Sequence, residues 1–149
     1  MAVNLVRSPR LFPGTGYAYA ARVSAGDLIF TAGACPLDEQ GKTVAPGDVI
    51  AQTRQALANL TIALEDSGAA TGDVVKTTVF VASSDRGELA AVFDEVAAFF
   101  GDHDVPSTLL GVALLGYRDQ LVEIEAIAVQ SSPTRSAAAS HTPTSPSGE

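Results

Sequence analysis

The sequence is short of basic charge: 9 Lys and Arg stand against 17 Asp and Glu, a formal net charge of −8. A surface of that sign repels phosphate backbones, and no basic stripe interleaved with aromatics runs through the chain, so a nucleic-acid partner is not expected. Cysteine occurs once, at Cys35, which excludes an intramolecular disulfide and fits a reducing compartment. Histidine occurs only at His103 and His141, so neither a Cys-His nucleophilic pair nor a metal-ligand spacing can be read. No apolar run approaches the roughly 20 residues that cross a bilayer. The opening "MAVNLVRSPRLF" also lacks the charged start, apolar run and cleavage site of a secretory leader. These absences point to a soluble cytoplasmic protein with no membrane partner, no metal and no cofactor.

What is present is enough for one core. The chain has 149 residues, 46% of them hydrophobic, which suits a single domain. After Val129 the composition changes to "QSSPTRSAAASHTPTSPSGE", rich in Ser, Thr, Pro and Ala. Such a segment buries too little apolar surface to offset its ordering entropy, so a domain over 1–130 and a disordered tail over 131–149 are expected.

Within the domain, "YAYAARV" (17–23) alternates and "DLIFTAG" (27–33) is β-prone, and the two are expected to pair as a hairpin; "DEQGK" (38–42) reads as a turn. From Pro46 to about Asp66 the period becomes helical, with Ile50, Leu57, Leu60 and Leu64 on one stripe and Gly68 as a stop. "DVVKTTVFVAS" (73–83) is a β-branched strand. Asp85 with Glu88 three residues on is the capping-box pattern for a second helix, whose apolar face is Leu89, Val92, Phe93, Val96 and Phe99. Strands over about 107–114 and 120–129 follow. The order ββαβαββ predicts an α+β fold with two helices packed on one face of a single sheet.

The last strand, "LVEIEAIAV" (121–129), splits by alternation. Val122, Ile124, Ala126 and Ala128 suit the helices, whereas Leu121, Glu123, Glu125, Ile127 and Val129 share a mixed face. A half-apolar sheet face without its own cover predicts an oligomer.

"GDLIFTAG", "QTRQALANLTIALEDSGA", "GDVVKTTVFV" and "LVEIEAIAV", in this order and spacing, resemble the Rid superfamily (reactive intermediate deaminases, YjgF/RidA-like) over roughly residues 17–130. The resemblance implies a chorismate-mutase-like protomer and a homotrimer whose sheets line a central barrel, with small-molecule clefts between subunits. It further implies hydrolysis of imines and enamines to ketoacids and ammonia, with an arginine clamping the substrate carboxylate and a glutamate handling water. Position by position, the glutamate falls on Glu123 and a site tyrosine on Tyr19, while Tyr17 shares its strand face. The arginine position falls on Thr108, a cysteine position on Leu110, and an asparagine position on Phe93. The carboxylate clamp is therefore absent from its place. A threonine offers one hydroxyl where a guanidinium offers a charged fork, so ordinary 2-iminoacid hydrolysis is not the expectation, and a substrate recognised without that clamp is.

Several candidates keep two readings. Glu123 is either a cleft carboxylate or a strand carboxylate at a wet interface; Glu125 pairs across the assembly or faces water in the channel. Ser107 and Thr108 either hydrogen-bond a ligand or are satisfied strand hydroxyls, and Phe93 either lines the cleft or packs the core. Gly33 and Cys35 follow the second strand at a cleft wall, with Cys35 read as a small buried hydrophobe. Arg118 and Arg22 are the candidates to replace the clamp. The expected function is the processing of a small imine or enamine intermediate by hydrolysis, tautomerisation or ring formation, a step that suits biosynthetic tailoring. The alternative is a non-catalytic trimeric ligand-binding or scaffold protein. Ribonuclease activity, attached to relatives, is disfavoured by the acidic balance and the lack of a histidine pair.

Overall fold

The computed structural model describes residues 3–13 and 16–130. The expectations for 131–149, His141 included, lie outside the described residues. The chain runs β1 (Val3–Val6), β2 (Ala20–Val23), β3 (Asp27–Phe30), α1 (Val49–Asp66), β4 (Val74–Val81), α2 (Arg86–Phe100), β5 (Ser107–Gly111) and β6 (Val122–Gln130). A four-stranded sheet is ordered β3-β6-β4-β5. Only β4 and β5 are parallel, because α2 carries the chain back over the sheet between them.

Both helices cover one face. Leu57, Leu60 and Leu64 of α1 and Val92 and Val96 of α2 meet Val79, Val81, Val122, Ile124, Ala126 and Ala128 in one buried cluster. The alternation expected for the last strand holds on its helix side: those four β6 residues are all buried. An Arg54–Glu95 pair, with Nε and a second guanidinium nitrogen 2.9 and 2.8 Å from the two carboxylate oxygens, ties α1 to α2.

Helix ends follow local chemistry. α1 starts three residues after Pro46, because Asp48 caps it by accepting the Ala51 N–H at 2.9 Å. Gly68, at φ 82°, ends it in a conformation that disfavours other residues. Asp85 caps α2 through the Gly87 N–H at 2.8 Å. The capping box does not close, because Glu88 instead accepts from the Ser83 hydroxyl. At the far end of α2, Phe99 is 37% exposed and Phe100 takes the core position expected for it.

The hairpin expected between 17–23 and 27–33 does not form. β2 pairs antiparallel with β1 in a separate two-stranded ribbon, and β3 pairs with β6. The described strands therefore make two sheets rather than one. Gly26 redirects the chain at φ 119°, and a Cβ there would stand 2.6 Å from the Gln130 carbonyl oxygen, so β3 enters tightly against the end of β6. The "DEQGK" segment is a turn: Asp38 Oδ1 accepts from the Gln40 and Lys42 N–H groups, closing only a short Leu37–Thr43 bridge.

Among the described residues nothing covers the opposite face of the four-stranded sheet. On it lie Leu28 and Phe30 of β3, 55% and 69% exposed, and Leu110 of β5 at 41%. Cross-strand rows fix their neighbours: Glu123–Phe80–Leu110 form one row and Glu125–Thr78–Thr108 the next.

Candidate functional site

Glu123 comes from β6, but its carboxylate leans over the segment that follows β3 in the chain. A Cβ built on Gly33 would lie 2.6 Å from the Glu123 Cδ, so only glycine leaves room for the side chain there. Main-chain bonds in both directions between Ala34 and Ile124, at 2.7 and 3.1 Å, hold the two segments together. Gln120, 4% exposed, donates from Nε2 to Glu123 Oε2 at 3.2 Å and to the Val122 carbonyl at 3.2 Å, while its Oε1 accepts the Tyr117 N–H at 3.0 Å. The carboxylate is thus fixed in place by a buried amide that is itself fully engaged.

Cys35 completes this wall, its thiol 3.5 Å from the Gly33 carbonyl. Burial, and then the negative charge of Glu123, push the Cys35 pKa above its ordinary value. Both effects favour the protonated thiol, and Cys35 is only part-buried. Removing the charge at 123 lowers that pKa. Glu123→Gln is accordingly expected to speed alkylation of Cys35 several-fold at pH 8, read by mass spectrometry after timed iodoacetamide exposure.

Asn59 of α1 supports the same wall from beneath, donating to the carbonyls of Cys35 and Leu37 at 2.8 and 2.9 Å. Asn59→Leu strands both acceptors. The expected cost is about 1–3 kcal/mol of stability, measured as a lower denaturation midpoint at fixed protein concentration.

A second set of residues gathers at the β5 edge. Tyr17, Ala90, Phe93, Asp94, Ser107, Thr108 and Leu109 line a groove of about 550 Å³. Tyr17 meets Phe93 edge-on, centroids 6.0 Å apart. Phe93 therefore faces the groove rather than only the core. Tyr19 packs edge-on to Tyr17, but its hydroxyl donates to the Phe12 carbonyl at 2.7 Å, and it is Tyr17 that lines the groove. Ser107 turns to the helix side, its hydroxyl bonded to that of Thr77, whereas Thr108 faces the uncovered side. Lys76 of β4 reaches across and donates from Nζ to Thr108 Oγ1 at 2.6 Å.

Of the residues singled out from sequence, Glu123, Gly33 and Cys35 come together at one edge of the sheet, and Thr108, Phe93 and Ser107 at the other. Leu110 lies between, in the row of Glu123. Arg118 is exposed in the loop before β6, where its carbonyl accepts from Thr43. Arg22 is exposed on the ribbon, opposite Asn4. Sequence reasoning missed Lys76, Gln120 and Asn59. The signal for Lys76 was present, as the one charge inside the β-branched run "VVKTTVFV". Among the described residues no helix is long and apolar enough to cross a membrane, and no group of three or more His, Cys, Asp or Glu could hold a metal ion.

Comparison with known proteins places this arrangement. A family model described as Endoribonuclease L-PSP matches residues 12–130. The 2-iminobutanoate/2-iminopropanoate deaminase of Escherichia coli is 40% identical over 115 residues, 75% of this chain and 87% of that protein. A RutC family protein of Pyrococcus horikoshii is 36% identical over 110 residues, 74% of this chain and 85% of that protein. The Rid family protein YyfB of Yersinia pestis superposes with a TM-score of 0.81 at 30% identity, covering 87% of this chain and 99% of that one. The YjgF gene product of E. coli gives a TM-score of 0.61 at 34% identity, covering 86% and 99%. With its helices on one face of a mixed sheet and a matched span that takes in nearly all the described residues, the chain belongs to the Rid (YjgF) superfamily.

Proposed function

We propose that the protein hydrolyses a small imine or enamine intermediate in a cleft completed by a second copy of the chain. One observation carries this reading: Glu123 is held by Gln120 and Gly33 on the β3 side of β6, while Thr108, Tyr17 and Phe93 gather two strands away. Strand spacing and rise put the Glu123 and Thr108 backbones about 12 Å apart. A small imine cannot touch both within one protomer. An assembly in which the β5 edge of one copy approaches the Gly33–Glu123 edge of the next brings them onto one substrate. A homotrimer satisfies that geometry, covers the exposed Phe30, Leu28 and Leu110, and accords with the family.

The chemistry suits a lone oriented carboxylate. The oxygen of water adds to the imine carbon as Glu123 takes its proton, and the C=N electron pair moves to nitrogen, which is protonated. The carbinolamine then expels ammonia as its C–N bond breaks and C=O forms, with the hydroxyl proton passing back through Glu123. An enamine enters the same route after protonation at carbon. No metal or redox partner is needed for this balance. The E. coli relative named as an iminobutanoate and iminopropanoate deaminase supports the reaction class. Thr108 sets this cleft apart from one built on a guanidinium clamp, so recognition proceeds without that fork.

The test generates imines in situ from amino acids and from neutral amines and follows ammonia release with and without the protein. Acceleration that disappears in a dilution-induced monomer is the expected result. No acceleration with any imine, from an assembled protein, overturns the reading in favour of a binding or scaffold role.

A further inference from the structure

We propose that Lys76 and Thr108 form an anion-binding pair that recognises a carboxylate on the substrate, an inference that rests on the cleft being imine-hydrolysing. Lys76 is the only Lys or Arg in the four strands of the main sheet. It stands on the uncovered face, on the central strand β4, two residues before Thr78 and diagonal to Glu125. A shallow depression of about 140 Å³ lies there, lined by Phe30, Lys76, Thr78, Glu125 and Ile127 among others. A lysine in such a place usually meets the nearest carboxylate. Here the ammonium goes the other way, to the neutral hydroxyl of Thr108, and among the described residues the ion pairs are Arg7–Asp104 and Arg54–Glu95.

The bond to Thr108 also orients the hydroxyl. An ammonium only donates, so Thr108 Oγ1 must accept and its own proton is left to point elsewhere. The remaining N–H groups of Lys76 and the O–H of Thr108 are thus two donors joined by one bond; Thr108 lines the groove of Tyr17 and Phe93, and Lys76 lines the neighbouring depression on the uncovered face. Desolvation lowers the Lys76 pKa, the sign of a cation that loses water without gaining a counter-ion. A bound carboxylate supplies that counter-ion. The pair replaces a planar fork with a point charge and a hydroxyl, so it reads charge more than shape. The consequence departs from the simplest reading of Thr108: the substrate carries one carboxylate, held by lysine where a guanidinium is missing.

The experiment compares two imines generated in situ, one from alanine and one from alaninamide, which differ in a carboxylate. Their kcat/KM ratio is the readout for the wild type, Lys76→Met, Lys76→Arg, Thr108→Val and Glu123→Gln, with assembly checked by light scattering. A ratio that favours the acid in the wild type and falls roughly 10- to 100-fold in Lys76→Met, mostly through KM, is expected from loss of a charge-assisted bond. Lys76→Arg should restore most of it, and Thr108→Val should lower it several-fold. Calorimetric binding of pyruvate, the product acid, should weaken in parallel in Lys76→Met. Equal ratios in all Lys76 and Thr108 variants, with both imines still dependent on Glu123, overturn the anion pair and leave the reaction class standing. If Lys76→Met fails to assemble, the ratio and pyruvate affinity of Thr108→Val decide. Turnover of both imines that survives Glu123→Gln removes Glu123 from the chemistry, and no turnover of either imine by the assembled wild type sinks the reaction class itself.

Discussion

Replacing Glu123 by glutamine is expected to lower ammonia release from imines by at least about 100-fold, the usual cost of removing a general acid/base. Glutamine keeps the size of the side chain and can still meet Gln120 after an amide rotation, so the wall around Gly33 stays intact. What disappears is the acceptor that takes a proton from water. The effect belongs in kcat, because substrate recognition is assigned to the opposite half of the cleft. The measurement is steady-state ammonia release on an assembled variant whose denaturation midpoint matches the wild type. A variant that retains more than a tenth of the activity would remove Glu123 from the chemistry and return it to the role of an interface carboxylate.

Gly33→Ala is the second large effect. Gly33 is not among the described glycines at positive φ, so alanine is compatible with the backbone and the fold should survive within about 1 kcal/mol. Its methyl group nonetheless claims the space of the Glu123 carboxyl group, 2.6 Å from Cδ. The side chain must swing away and lose its bond to Gln120. A displacement of that size is expected to reduce kcat/KM by roughly 10- to 100-fold. Adding Gly33→Ala to Glu123→Gln should then cost little more, because both remove the same oriented carboxylate. Additive losses would mean that Gly33 acts through something other than Glu123.

The two variants test the half of the proposed cleft whose residues could be singled out from sequence. Periodicity was sufficient for α1, where Leu57, Leu60 and Leu64 are buried as expected, and for the helix side of β6. Alternation also placed Glu123 and Glu125 on the uncovered face. It failed where two choices had the same pattern. Tyr17 and Tyr19 alternate alike, and only the approach of α2 puts Tyr17 against Phe93 while the Phe12 carbonyl occupies the Tyr19 hydroxyl. The segments 17–23 and 27–33 are both good strands, and pairing propensity alone joins them. The tight entry of Gly26 beside Gln130 and the presence of Val3–Val6 give each a different partner.

By itself, then, the sequence determined which residues are apolar and with what period, and through them the α+β class, the uncovered sheet face and the carboxylate at Glu123. Tertiary structure alone decided which side chains share a site. Lys76 and Thr108 are 32 positions apart and meet because β4 and β5 run parallel in register; Asn59 meets Cys35 and Leu37 because α1 lies under that wall. Local pattern encodes the face on which a residue stands, a property of a few neighbouring dihedrals. Which charge reaches which hydroxyl depends on strand order and register, and those are set by the packing of the whole chain.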